Sequence, residues 1–407
     1  MNEQLSDTGY FRPDHYLKYP IVLKSANGSI IKDVSGNEYL DFSAIMGAVN
    51  CGHNIPQINK KLIEQVGAMW TSNFFATEIQ LEAISKINSI LPQGMNLAAL
   101  YSTGAEAIEF ALRFARAATG RNRIVSFKDH FHGKTLGTMQ LVQHFPDCYG
   151  PVPDSYRTVI DSDGSDDAAV VEAYLNALPV DDVAAVIFEP VVGYSGPRLL
   201  HPGFLQTVRN FCDKHNIVMI ADEILTGFHR CEGFFCSSQN NIKPDVVVFG
   251  KGLGNGFPIS GVACIPSLSQ YLNNALPGST FAGNSLACAA ACGVLEFMQH
   301  ENFPEKTSKL EKTFYEYFSQ PRFNSYGISI DGKGGLLSIS FPDSLINQVP
   351  DIYLQLLQNG VITSHTQKYI RVSPPLTIDS SEFERGLEIM GRCLDKVFAP
   401  SEGHQNR

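Results

Sequence analysis

The chain has 407 residues, with 31 Lys+Arg against 41 Asp+Glu, so the net charge is −10 with histidine neutral. Hydrophobic residues make up 44% and charged residues 18%, a composition that can bury a large core and argues against intrinsic disorder. The acidic balance, with a pI of about 5.6, excludes the basic footprint that nucleic acid or an anionic membrane would require, and the length predicts roughly two to three domains at about 150 residues each.

In chain order, Met1 to Tyr10 carry Glu3 and Asp7 and no apolar run behind a basic patch, so no signal peptide is expected. Residues 20–41 read as a small β-meander. Ile21–Ala26 and Ser29–Val34 flank the hairpin signal Asn27-Gly28, and Ser35-Gly36-Asn37 turns the chain before Glu38–Phe42. Asn27-Gly28-Ser29 also matches a glycosylation sequon, but without a secretion signal it reads as a turn. From about 51 to 290, helices alternate with short apolar strands. Helices are predicted at Ala105–Ala118, Asp167–Leu178 and Gly203–His215, and strands at Arg123–Phe127, Val183–Phe188, Ile217–Ala221 and Val246–Phe249. Continuous rather than alternating hydrophobicity indicates an α/β fold with a mostly parallel sheet covered on both faces. Its apolar runs are too short to cross a bilayer.

From about 291 onward, helices (Ala287–His300, Glu305–Phe318, Ser381–Phe398) mix with strands near Leu336–Phe341 and Tyr369–Val372, which suggests a smaller α+β domain. Residues 399–407 read as a frayed end. The expected organisation is a large domain over 51–290, with residues 1–50 and 291–407 together making the small one. Nine cysteines are scattered without a Cys-x-x-Cys pair, which predicts reduced thiols in a cytoplasmic protein. Cys288 and Cys292, one helical turn apart in an Ala-rich stretch, read as small packing residues.

Several motifs fail on inspection. In Gly252-x-Gly254-x-Gly256 the third glycine of a dinucleotide loop would fall at Phe257. Gly133-Lys134-Thr135 lacks the upstream P-loop glycine, since position 128 is lysine. Gly193-Tyr194-Ser195-Gly196-Pro197 is not a nucleophile elbow, because its fifth position is proline. There is no His-Glu-x-x-His and no zinc-spaced cluster, so no metal is expected.

The informative residues stand where strands end. Val218–Ala221 runs into Asp222-Glu223, and Val246–Gly250 runs into Lys251. A carboxylate at the end of a buried strand needs a positive partner. Glycines at 250 and 252 leave the Lys251 amine accessible, which makes it a Schiff-base candidate. Ser102-Thr103-Gly104-Ala105-Glu106 opens a helix with a cap, a flexible backbone and free N–H groups, an arrangement suited to phosphate. Phe131-His132-Gly133 places an aromatic ring at the sheet edge. A phosphate site, a lysine, a carboxylate and an aromatic ring together match the needs of pyridoxal 5'-phosphate (PLP).

With these residues in view, the sequence resembles the class III PLP-dependent aminotransferases of fold type I, the group of ornithine, acetylornithine, 4-aminobutyrate and omega-amino-acid transaminases. The resemblance runs from Tyr39-Leu40-Asp41-Phe42 to Arg371 and takes in Phe188-Glu189-Pro190, Ile220–Gly227, Phe249–Gly252 and Ser279–Asn284. It implies that Lys251 forms the imine with the cofactor and shuttles the proton, and that Asp222 pairs with the ring nitrogen. It implies that Phe131 stacks on the ring with His132 beside it, and that Thr103, Gly104 and Ala105 hold the phosphate. It further implies that Thr280 reaches the cofactor of the neighbouring subunit in a homodimer, that Glu189 is a switch carboxylate near the substrate entrance, and that Arg371 binds the α-carboxylate of glutamate or a similar donor.

Three departures bear on the substrate. Leu225 stands where a polar residue often meets the ring hydroxyl; apolar residues there occur in relatives such as the glutamate-semialdehyde aminomutases. Lys134 replaces an arginine and loses its planar fork, which disfavours ornithine or acetylornithine. His229 and Cys231 replace glycine and threonine. Ile45, Met46, Phe74 and Phe75 are expected to make the front wall of the pocket apolar. The expected activity is transfer of an amino group to an aldehyde or ketone acceptor, such as a semialdehyde or an oxidised sugar or cyclitol. The alternatives are an aminomutase or racemase on the same scaffold, and a non-catalytic cofactor-binding protein.

Overall fold

The computed structural model describes residue 19 and residues 21–72, 75–142, 156–161, 167–239 and 242–398. Residues 1–10, Phe74 and residues 399–407, on which the sequence raised expectations, lie outside the described residues. The chain opens with an antiparallel meander of β1 (Leu23–Asn27), β2 (Ile30–Asp33) and β3 (Glu38–Asp41). Its first turn sits one residue later than the sequence pattern indicates. Asn27 pairs with Ile30, and Gly28 and Ser29 make the turn. Gly28 takes a left-handed φ of 55° and exchanges both backbone hydrogen bonds with His53, at 2.9 and 2.8 Å. That second partner fixes the turn at the one residue free to adopt the conformation.

The central region follows as α1 (Pro56–Val66), α2 (Glu78–Ile90), β4 (Asn96–Tyr101), α3 (Gly104–Thr119), β5 (Arg123–Phe127), β6 (Arg157–Ile160), α4 (Ala168–Asn176), β7 (Val183–Phe188), β8 (Val191–Val192), β9 (Arg198–Leu199), α5 (Phe204–His215), β10 (Val218–Asp222), β11 (Val246–Phe249), β12 (Ser260–Cys264) and α6 (Ser285–His300). After these come α7 (Phe303–Phe318), β13 (Ser329–Lys333), β14 (Leu336–Ser340), α8 (Val349–Gln358), β15 (Val361–Ile362), β16 (Ser364–His365), β17 (Tyr369–Val372) and α9 (Ser380–Phe398). The helices predicted from sequence are all present, with ends displaced by one or two residues.

Seven strands form the main sheet in the order β4-β12-β11-β10-β7-β5-β6. β12 runs antiparallel to both of its neighbours, and the β11-β10-β7-β5-β6 pairs are parallel. β7 is buried at every position, as its unbroken apolar run requires between two helical layers. α3 covers the sheet through Ile108, Ala111, Leu112 and Ala115, all buried. A capping box at Thr103 and Glu106 starts it, and left-handed Gly120 ends it. Cys288 and Cys292 are buried in α6 against Ala83 of α2, in keeping with a packing role.

Three chain ends converge at one edge of this sheet. β10 and β11 are parallel with Asp222 opposite Val248, so Asp222 and the Gly250-Lys251 turn leave the sheet side by side. β4 runs in the same direction as β11, because β12 between them is antiparallel to both. The turn into α3 therefore emerges at that edge as well. Two four-stranded sheets, ordered β1-β2-β3-β15 and β13-β14-β17-β16, and the two-stranded pair β8-β9 complete the sheets among the described residues. β15 pairs in parallel with β3, joining the start of the chain to its far end, and β17 carries Arg371.

Candidate active site

The converging ends enclose a cavity of about 500 Å³. Gly104, Ala105, Phe131, His132, Glu189, Asp222, Lys251 and Arg371 all line it. Eight of the ten residues assigned from sequence therefore meet in one place.

Asp222 and Glu223 part company at the end of β10. Asp222 faces the cavity, accepts a hydrogen bond from His132 Nδ1 at 2.7 Å on one oxygen, and accepts Ile224 N–H at 3.1 Å on the other. Glu223 turns away and accepts the N–H groups of Cys236 and Ser237 at 3.1 and 2.6 Å, pinning the following loop. Lys251 holds a left-handed φ of 39°. It is followed by Gly252, where a Cβ would come 2.6 Å from Asn50 Nδ2. Only glycine lets this turn press so closely on its neighbour. Burial pushes the Lys251 amine down to about 8, helped by Arg371 and Arg230 and opposed by Asp222 and Glu189.

Glu189 is buried, and its carboxylate accepts Phe131 N–H at 2.9 Å. Its own N–H donates to His130 Nδ1 at 2.8 Å. Burial and then the charge of Asp222 push Glu189 up to about 7. Arg371 is buried at the end of β17. Its Nη2 donates to the carbonyls of Gly193 and Tyr194 at 2.8 and 3.1 Å, and its Nε has no partner among the described residues. Burial lowers its guanidinium from the ordinary arginine value, against the pull of Glu189.

Two of the assigned residues lie elsewhere. Thr103 is outside the cavity wall, because its N–H and hydroxyl both engage Glu106 while Glu106 N–H returns to its oxygen at 3.2 Å. Ser102 takes the place beside the cavity. Thr280 is exposed, outside the cavity of its own chain. Of the expected front wall, Met46 lines the cavity, together with Ala48; Ile45, as exposed as Met46, does not line it, and Phe75 is 79% exposed. The reason is backbone conformation. Residues 44–47 form a left-handed turn, with φ between 42 and 74°, tied down by Asp41, whose carboxylate accepts the N–H groups of Ser43 and Ala44 at 2.9 and 2.8 Å.

Tyr194 and His130 escaped the sequence reasoning. The Tyr194 ring stacks on Phe131 with centroids 4.3 Å apart, and its carbonyl holds Arg371. Its flanking glycines at 193 and 196 were the available signal, the same one that marked Lys251. Nothing in the local sequence distinguishes His130.

The class III aminotransferase family model matches residues 11–394. The chain is a class III aminotransferase. It is 33% identical over 395 residues to ornithine aminotransferase 2 of Staphylococcus aureus, covering 94% of this chain and 96% of the relative. It is 31% identical over 402 residues to the 5-aminovalerate aminotransferase of Pseudomonas aeruginosa, covering 93% and 94%. Among solved structures, the ornithine aminotransferase of Toxoplasma gondii superposes with a TM-score of 0.86 at 26% identity, over 97% of this chain and 92% of that one. The taurine:2-oxoglutarate aminotransferase of Bifidobacterium kashiwanohense, solved with PLP and glutamate, superposes with a TM-score of 0.83 at 25% identity over 93% of each chain.

This aminotransferase has fold type I and uses PLP. Its cavity fits that cofactor. The N–H groups of Gly104 and Ala105 precede the first helical hydrogen bond, from Ala107 to the Thr103 carbonyl at 3.2 Å, and so are available to a phosphate. A Cβ on Gly104 would meet Ile224 at 2.8 Å, so the close approach of this backbone depends on glycine. The carboxylate of Asp222 and the amine of Lys251 face the same space. Among the described residues, no helix of the aminotransferase is long and apolar enough to cross a membrane.

Proposed function

We propose that this aminotransferase takes its amino group from glutamate or a similar α-carboxylate donor and delivers it to an aldehyde or ketone with a neutral body, by a ping-pong mechanism. The observation that carries this is the placement of the buried Arg371 guanidinium, with an unpartnered Nε, in the same cavity as Lys251 and Asp222. A buried fork of donors is matched to a carboxylate. Met46, Leu225 and Ile259 give the same cavity an apolar side, which suits an acceptor without a second charge.

When bound, PLP supplies an aldehyde carbon that takes up amino groups and a ring that draws electron density from the donor's α-carbon. Gly104 and Ala105 would hold its phosphate, and Phe131 would pack on its ring. Asp222, oriented by His132, would keep the ring nitrogen protonated. Lys251 Nζ would hold the cofactor and would accept and return the proton of the donor's α-carbon. Its amine, held down to about 8, is poised to do both near neutral pH. Glu189, whose charge acts on Arg371, is the switch carboxylate of this reading, near the substrate entrance.

We assign residues 1–50 and 291–407 to one small domain, supported by the β3–β15 pairing, and residues 51–290 to the cofactor-binding domain. The enzyme works as a cytoplasmic homodimer with shared active sites. The buried free cysteines support a reducing compartment. Ile63, Trp70, Phe75, Leu276 and Phe281 expose large apolar surfaces that a second copy would cover, and the exposed Thr280, next to Phe281 in the chain, would reach the partner's cofactor.

The test is a spectroscopic half-reaction of the holoenzyme. Glutamate alone is expected to bleach the cofactor's visible band and release the keto acid, and a carbonyl acceptor is expected to restore the band. Isomerisation of a single amine without release of a keto acid would contradict the proposal.

A further inference from the structure

Arg230 has no exposed surface, yet all its hydrogen bonds go to neutral oxygens. Nε and Nη2 donate to Asn50 Oδ1 at 3.2 and 2.7 Å, and Nη1 donates to the carbonyls of Gly335 and Pro374 at 2.9 and 2.7 Å. Among the described residues it has no ion pair. Burying a cation without a direct ion pair is costly, and burial pushes its guanidinium down to about 10, against the pull of the Asp41 charge. A neutral side chain could fill the space without that cost, so the charge and the fork call for a function.

Both arms of the fork lead to the active site. Asn50 presses on the turn that carries Lys251, since a Cβ on Gly252 would come 2.6 Å from its Nδ2, and it donates to the Phe228 carbonyl at 2.9 Å. Pro374 lies three residues after Arg371. The N–H of Leu376 donates to the Asn50 carbonyl at 2.8 Å, which closes the loop between the two arms. One guanidinium thus spans the lysine turn and the continuation of the strand that carries Arg371.

We propose, resting on the assignment of Lys251 and Arg371 above, that Arg230 is a positioning residue for transamination. It sets the Lys251 turn and the Arg371 strand relative to one another and adds a fixed positive charge behind the lysine. The charged and titratable groups that act on Lys251 are Asp222 and Glu189, which favour its protonated form, and Arg371 and Arg230, which disfavour it; His132 lines the same cavity and is hydrogen-bonded to Asp222.

The experiment compares wild-type, Arg230→Gln and Arg230→Lys holoenzymes. In Arg230→Gln, the pH midpoint of the resting visible band is expected to move up by roughly half a unit or more, because a cation opposing protonation is gone. KM for glutamate is expected to rise about tenfold through the misplaced carboxylate clamp, while KM for an amine without a carboxylate stays put. Arg230→Lys is expected to keep the midpoint and still raise KM for glutamate, because the charge remains and the fork is lost. A midpoint and a glutamate KM both unchanged in Arg230→Gln would overturn the assignment. So would equal losses for both donors with the midpoint unmoved, the mark of a merely structural residue. If Arg230→Gln does not fold, Asn50→Ala supplies the test: a raised glutamate KM supports the assignment, and an unchanged one overturns it. Lys251→Ala and Arg371→Ala controls separate the two levels. A visible band that survives Lys251→Ala would count against the proposed function itself. Silent Arg230 variants beside normal controls would count against Arg230 alone.

Discussion

Glu189 and Asp222 present carboxylates to one buried cavity, and that crowding has a cost. Glu189 is raised from 4.5 to about 7, first by burial and then by Asp222. Between those values the folded apoprotein holds a proton that the unfolded chain has released. Stability from this site is therefore complete below about pH 4.5 and lost as pH rises through 7, by about 3 kcal/mol. The urea midpoint of wild-type apoprotein is expected to fall more between pH 5 and 7.5 than that of Glu189→Gln apoprotein; equal slopes would contradict this. At the same scale, Asp222 and Lys251 were legible in the sequence because a charge at the end of an apolar strand stands out locally. Arg371 and Glu189 became legible only through family resemblance. Tyr194 and His130 were not legible, because their roles are contacts made across the fold, to Phe131 and to the Glu189 N–H.

At the scale of elements, β7, β10 and β11 could be read directly, since a strand covered on both faces is a nearly unbroken apolar run, and β5 could be read although Arg123 and Ser126 interrupt its apolar residues. β4 and β12 were not. Asn96 and Ser260 open them with polar residues, and β12 runs antiparallel in an otherwise parallel sheet. The start of α3 was marked by Thr103 and Glu106, but that same capping box removes Thr103 from the cavity wall. Sequence chemistry identified the cap and could not say that the cap would use up its hydroxyl. The left-handed turn at 44–47 was also out of reach. It places Met46 on the cavity wall and Ile45 off it, and the Asp41 carboxylate ties it down.

For the whole molecule, the pairing of β3 with β15 is a contact between distant segments that no local pattern announces, although the change in element pattern near residue 291 pointed to a separate region. The net charge of −10 conceals buried cations at Lys251, Arg371 and Arg230, which offer positive charge to an anionic ligand beside the carboxylates of Asp222 and Glu189. The exposed apolar surface around Phe281 predicts a dimer in sedimentation, and Phe281→Glu is expected to shift it toward monomer with loss of bound cofactor; a monomeric wild type that keeps its cofactor and activity would contradict the shared-site account. The most direct test of the central claim is to reduce the holoenzyme with borohydride, which fixes the cofactor to the lysine that carries it, and to map the adduct by peptide mass spectrometry. The modification is expected on Lys251 alone, and an adduct on another lysine, or none, would contradict the account.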